Sequence, residues 1–207
     1  MCSACGNYLR CLLQVKTNMS SAILFELIAF LIAIAGVFLT ARGHIAGWIF
    51  GIIGAAFYVP VFYVSRLYAE TGLQLFYMVM GAFGFYNWIR LGKMEESKTI
   101  NNITLKQTIS LIVLFLIGSF TLAKILQNFS NTDVPYFDAC MGISGLLITW
   151  MMARKYIENW IYWVIVDLAN AGLFIYKSLY LTAILYFIMA AIALYGLKTW
   201  RKDLAKP

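Results

Sequence analysis

Seven runs of mostly apolar residues, each about as long as a bilayer is thick, decide what this chain can fold into. They lie at roughly 22–41, 46–65, 70–90, 106–127, 134–153, 159–177 and 179–198. Crossing the hydrocarbon core takes about 20 such residues. In lipid every backbone N–H and C=O must be satisfied within its own segment or barrel, so each run is expected to be a helix. The expected fold class is therefore an all-α integral membrane protein with seven transmembrane helices. Composition agrees, since 62% of the 207 residues are hydrophobic, against about 45–50% in a soluble domain. No soluble domain is left over, and the one sizeable polar linker is Leu91 to Asn102.

The net charge of +7 is read as topology. One set of loops holds Arg42, Arg90, Lys93, Lys98, Lys106, Arg154, Lys155, Lys198, Arg201, Lys202 and Lys206, eleven in all. The other holds five: Arg10, Lys16, Arg66, Lys124 and Lys177. The positive-inside rule puts the first set in the cytoplasm, the N-terminus outside and the C-terminus inside. Nucleic acid is not an expected partner. Residues 1–21 read as an extension, with Met19 the preferred start of the membrane segment. Cys2 and Cys5 form a C-x-x-C there, a weak metal signal without a second ligand pair. No metal and no cofactor are expected. Cys140 reads as a packed thiol.

The second half repeats the first. At a gap-free offset of 112, residues 41–88 meet 153–200 with twelve identities in forty-eight positions. Among them are Arg42 with Arg154, Trp48 with Trp160, Leu67-Tyr68 with Leu179-Tyr180, Gly84 with Gly196 and Trp88 with Trp200. Glu26 also meets Asp138, an acid for an acid. Spans 1–3 thus correspond to spans 5–7, displaced by an even number of helices, so the two halves share one orientation. The plan is two parallel three-helix repeats joined by a linker helix, three plus one plus three. The segments are an extension at 1–21, a first repeat at 22–90, a polar loop and linker helix at 91–127, a second repeat at 134–198 and a basic cytoplasmic tail at 199–207. Transporters of this plan bind substrate between the repeats, and helix weaknesses at matching places mark the site or the hinge. Here Pro60 corresponds to Gly172, which makes the pair a hinge candidate.

Where the halves differ, function is expected. In span 2 one face runs Gly47, Gly51, Ala55, Tyr58; the matching face of span 6 runs Asn159, Trp163, Asp167, Asn170. Trp160, Trp163, Asp167 and Asn170 are spaced by three, four and three residues and share one helix face. An acid inside a bilayer segment is costly unless it faces a protein interior or a watery cavity. Span 3 offers Gln74, Tyr77, Gly81, Gly84 and Trp88 at similar spacing. A cavity between these faces, with Tyr58 as a further candidate, suits a flat, cationic, aromatic molecule bearing hydrogen-bonding groups. Indole faces attract cations, a carboxylate wants a positive partner, and amides suit a carboxamide or sugar hydroxyls. Trp48, Trp88 and Trp200 are expected in the interfacial aromatic belt instead. An enzyme is disfavoured, because there is no phosphate-binding Gly-Lys-Ser/Thr loop, no H-E-x-x-H and a single histidine. A receptor or scaffold without transport would need neither the acid in span 6 nor a weakness in both halves.

Two stretches carry a family resemblance: ENWIYW…D…GLFIYKSLYLTAILY, and GWIFGIIGAAFYVPVFYVSRLYAETGLQLFYMVMGAFGFYNW. They resemble the vitamin transporters of the PnuC type, over nearly all of residues 22–202. The resemblance implies a SWEET-like three-one-three plan, a homotrimer, and a bacterial inner membrane location. It implies uptake of nicotinamide riboside by facilitated diffusion, with a cytoplasmic kinase trapping the product. Relatives carry thiamine or riboflavin, and thiamine is the nearer alternative here because it too is a cation. The family's substrate contacts lie in its third and sixth spans, which hold Gln74, Tyr77, Asn87, Trp160, Trp163, Asp167 and Asn170 in this chain.

Overall fold

A computed structural model describes residues 31–64, 68–92, 100–129, 134–178 and 180–205. The extension with Cys2 and Cys5, Glu26, Arg66, Lys93, Lys98 and Lys206 lie outside them. Seven helices follow in order: α1 Leu31–Ala41, α2 Ala46–Val64, α3 Tyr68–Gly92, α4 Leu105–Phe129, α5 Pro135–Ala153, α6 Asn159–Tyr176 and α7 Tyr180–Leu204. The all-helical expectation holds, helix by helix. Three helices are long and apolar enough to cross a bilayer by length and composition: Leu105–Phe129, Pro135–Ala153 and Ala183–Leu204. α6 has 18 residues, a length of roughly 27 Å at 1.5 Å per residue. Its Asn159, Asp167 and Asn170 dilute its hydropathy.

α4 shows what solvent the fold is made for. Only Ser119 and Ala123 of its 25 residues are buried, and Leu116, Ile117 and Phe120 lie on its open surface. Such a face is an aggregation hazard in water and an ordinary surface in lipid. A capping box starts this helix: Thr104 Oγ1 accepts from the Gln107 N–H, and Gln107 Oε1 from the Thr104 N–H. α4 packs on α5, α2 on α3, and α6 on α7, with α5 also touching α3 and α6.

One end of the bundle is closed by a tryptophan cluster. There the C-termini of α1, α3, α5 and α7 meet the N-termini of α2 and α6, around Trp48, Trp88, Trp160 and Trp200. Trp48 and Trp88 meet edge to face at 5.7 Å, and Trp160 and Trp200 do the same at 5.4 Å. Trp88 and Trp200 join the two pairs at 5.8 Å. Glycine makes each pair possible. A Cβ on Gly84 would lie 2.6 Å from the Trp48 ring, and one on Gly196 2.7 Å from the Trp160 ring.

The turns that lead into α2 and α6 are also built alike. After α1, the Gly43 N–H donates to Thr40 O and the His44 N–H to Leu39 O; after α5, the Lys155 N–H donates to Met152 O and the Tyr156 N–H to Met151 O. Both are Schellman turns, with the residue past the helix end left-handed, at φ 74° for Gly43 and 57° for Lys155. Each pair of equivalent atoms is 112 residues apart.

The belt expectation for three of these tryptophans is corrected. Trp48 is 6%, Trp88 4% and Trp200 1% exposed, so they pack against protein instead of reaching the lipid interface. The cause is their place on helix faces that close on one another across the glycines.

Candidate functional site

Above the tryptophan cluster, a cavity of about 400 Å³ opens between α1, α2, α3, α5, α6 and α7. That is within the roughly 300–1,000 Å³ of small-molecule sites. Trp48 and Trp160 form its floor beside Thr40 and Met152, and its walls carry Tyr58, Gln74, Tyr77, Thr149, Trp163 and Asp167. Six of the eight expected contact residues therefore meet at one cavity: Trp160, Trp163, Asp167, Gln74, Tyr77 and Tyr58.

Each wall follows from local sequence. On α6 the spacing of 160, 163 and 167 sets all three on the cavity side, as the helical period requires. On α1 and α2 small residues let the backbones close up. A Cβ on Gly36 would come within 3.2 Å of the Gly51 N and 3.3 Å of the Gly47 O. The same glycine face leaves room in the cavity, where a Cβ on Gly51 would meet nothing within 4 Å. On α5, Gly145 lets two aromatic groups approach: its Cβ position is 2.9 Å from the Tyr77 hydroxyl and 4.0 Å from the Trp163 ring. Thr149 turns its hydroxyl back onto the Gly145 carbonyl at 2.7 Å.

The electrostatics rest on one residue. Among the described residues that line the cavity, Asp167 is the single carboxylate or cation. It is 6% exposed, and no described residue pairs with its carboxylate. The indole N–H groups of Trp160 and Trp163 are buried without acceptors. A buried polar group with no partner costs about 1–3 kcal/mol, and more if charged. One carboxylate and the Trp163 ring beside a ligand-sized space, over the buried Trp160, have the chemistry that suits a planar cation.

Two expected contacts lie elsewhere. The Asn87 amide donates to the Ala153 carbonyl at 2.7 Å, at the end of α5. Asn170 continues the α6 face but is not among the cavity's lining residues. The hinge pair sits in unbroken helices: Pro60 lies inside α2, and Gly172 lies in α6 with open space where a Cβ would go. Sequence reading missed Thr40, Thr149, Met152 and Met189 as lining residues. Thr40 and Met152 were findable, because the offset of 112 pairs them.

A family model described as nicotinamide mononucleotide transporter matches residues 23–202. The nicotinamide riboside transporter PnuC of Escherichia coli (strain K12) is 25% identical over 187 residues, 78% of this chain and 78% of that protein. The riboflavin/roseoflavin transporter RibM of Streptomyces davaonensis is 23% identical over 141 residues, 67% of this chain and 66% of that one. The crystal structure of the vitamin B3 transporter PnuC shares the fold, with a TM-score of 0.69 at 22% identity over 92% of this chain and 86% of the other.

Proposed function

The chain belongs to the nicotinamide mononucleotide transporter family, a family of transporters and not of enzymes, and from that premise we propose that it takes up nicotinamide riboside by facilitated diffusion. The observation that carries this reading is the unpartnered Asp167 carboxylate beside Trp160 and Trp163 at a ligand-sized cavity. Nicotinamide riboside is a flat pyridinium carrying a carboxamide and a ribose. Its ring suits the Trp163 indole, a cation–π contact worth about 2 kcal/mol when desolvated, above a floor that includes the buried Trp160. Its charge answers Asp167, and its carboxamide and hydroxyls suit Gln74, Tyr77 and Tyr58.

The same premise supports the finer plan. On this reading residues 22–90 and 134–198 are the two parallel repeats, 91–127 supplies the linker helix, and the basic segment 199–207, which continues α7 as far as Leu204, lies on the cytoplasmic side. The duplicated Schellman turns and Trp–Gly contacts support that duplication. The end holding the tryptophan cluster carries Arg42, Arg90, Arg154, Lys155, Arg201 and Lys202, which supports a cytoplasmic placement of that end. The reading includes a bacterial inner membrane location, a homotrimer, and a cytoplasmic kinase that traps the product.

Thiamine, a thiazolium, satisfies the same acid and is the second reading. Riboflavin is neutral at pH 7 and leaves Asp167 unanswered, although RibM is among the relatives. Counterflow in proteoliposomes decides. Exchange of labelled nicotinamide riboside, with thiamine slower and riboflavin slower still, is the expected order. Fast thiamine exchange without nicotinamide riboside exchange shifts the assignment to thiamine. No exchange of any of the three removes the vitamin-transporter reading.

A further inference from the structure

Beneath the cavity floor, α3 meets the last turn of α5. The last carbonyls of a helix have no partner inside it. Here side chains from α3 reach two of them, Ala153 O and Met152 O, the latter also accepting from the Lys155 N–H in the turn. Asn87 donates to Ala153 O at 2.7 Å, and Trp88 Nε1 donates to Met152 O at 3.3 Å. Lys155, the next residue but one after α5, sets its Nζ 4.6 Å from the centre of the Trp88 ring. The Schellman turn holds its φ at 57°, a left-handed backbone that disfavours any side chain with a Cβ. Burial lowers the pKa of its ammonium below the usual lysine value, as for a cation drawn out of water.

The equivalent junction, where α7 meets the end of α1, lacks each of these ties. Thr199 replaces Asn87, and its hydroxyl turns back to Tyr195 O in its own helix at 2.9 Å. Trp200 replaces Trp88, and its indole N–H is buried without an acceptor. Gly43 replaces Lys155 and has no side chain to place. The fold therefore builds the same junction twice and ties it in two ways: α1 and α7 meet through Tyr195, which is hydrogen-bonded with Arg42 and stacked on Phe38 at 5.7 Å, while only α3 reaches the end carbonyls of its neighbour. The α3–α5 tie joins the two halves, directly below a floor made of one tryptophan from each.

We infer that Asn87, Trp88 and Lys155 form a latch that holds the cavity shut at this end, and that they are gating residues for transport. Opening toward this side parts α3 from the end of α5, with the Trp88–Trp200 contact as the seam. The inference rests on the transporter reading, since a cavity that alternates between two faces needs one closure that can release. It assigns Asn87 a role in closure instead of substrate contact. Lys155 acts through Trp88 and touches no substrate.

The test reads access and not transport. Full-length protein lacking its cysteines at 2, 5, 11 and 140 receives Gly51→Cys, where a side chain meets open space on the cavity wall. A membrane-impermeant maleimide is then applied to right-side-out and inside-out vesicles. Lys155→Gly and Asn87→Leu are each expected to raise labelling several-fold from the face bearing the α3 C-terminus. Labelling from the opposite face stays the same or falls, and Lys155→Arg keeps the parent rates. Lys155→Gly also relieves the left-handed strain, so misfolding does not mimic the effect. Unchanged labelling in both cut-latch variants, or an equal rise from both faces, overturns the latch. Because no substrate is used, this outcome is separate from a failure of the nicotinamide riboside assignment, which appears in counterflow.

Discussion

On the proposed reading, Asp167 is the residue that answers the charge of the substrate. No described residue is hydrogen-bonded to or ion-paired with its carboxylate. A group of that kind is held for its ligand and costs the empty protein stability. Asp167→Asn keeps the shape and removes the charge. Affinity for a cationic substrate is expected to fall about 10–100-fold, which is roughly 1.4–2.8 kcal/mol. The melting temperature of the empty protein is expected to rise by roughly 2–4 °C, the shift that about 1 kcal/mol gives a chain of this size. Calorimetric titration and thermal unfolding in detergent measure the two. Affinity unchanged within twofold in both Asp167→Asn and Trp163→Ala takes α6 out of the site. At this scale the sequence was legible where chemistry and period coincide, as at positions 160, 163 and 167. It was misleading at Asn87. An amide near a helix end reads the same whether it meets a ligand or a carbonyl, and here it meets Ala153 O.

Among the helices, the proposed repeat is open to its most direct test through contacts that tolerate no added atom. Gly84 lies against Trp48 and Gly196 against Trp160, and either added Cβ would fall inside van der Waals contact. Both rings are buried in protein, so neither has room to yield. Gly84→Ala and Gly196→Ala are each expected to destabilise by about 1–3 kcal/mol, the usual cost of overpacking, and by similar amounts. Thermal unfolding of the two variants checks this, and a large cost at one site with none at the other argues against equivalent packing. Gly172 is the contrast. It has open space around it, and alanine favours a helix over glycine by about 1 kcal/mol. Gly172→Ala should therefore leave the fold intact or firmer. If α6 bends there during transport, counterflow slows while binding holds; an unchanged exchange rate removes Gly172 as a hinge. Element positions were readable because lipid demands unbroken apolar runs. Which face of each run meets protein was not. In a bilayer, lipid-facing and core-facing positions are both apolar, so the period that marks a buried face in water is faint. That is why Trp48, Trp88 and Trp200 read as belt residues and proved to be packed.

For the whole molecule, the proposed cationic substrate makes the driving force for uptake measurable. Moving one elementary charge across 100 mV is worth about 2.3 kcal/mol, an equilibrium ratio of roughly 50-fold. Uncoupled diffusion of a pyridinium is electrogenic whatever the site does, because Asp167 stays with the protein and only the cation is released. Proteoliposomes given an inside-negative potassium diffusion potential are therefore expected to accumulate nicotinamide riboside toward that ratio. With no potential they should only equilibrate it, and a neutral flavin should not respond. Exchange of the cation for a proton would behave in the opposite way, following an imposed pH gradient and ignoring the potential. Accumulation that tracks pH and not voltage would replace facilitated diffusion with antiport. Asp167 would then be the first residue to examine as the proton carrier, since it is the one acid among the described residues lining the cavity.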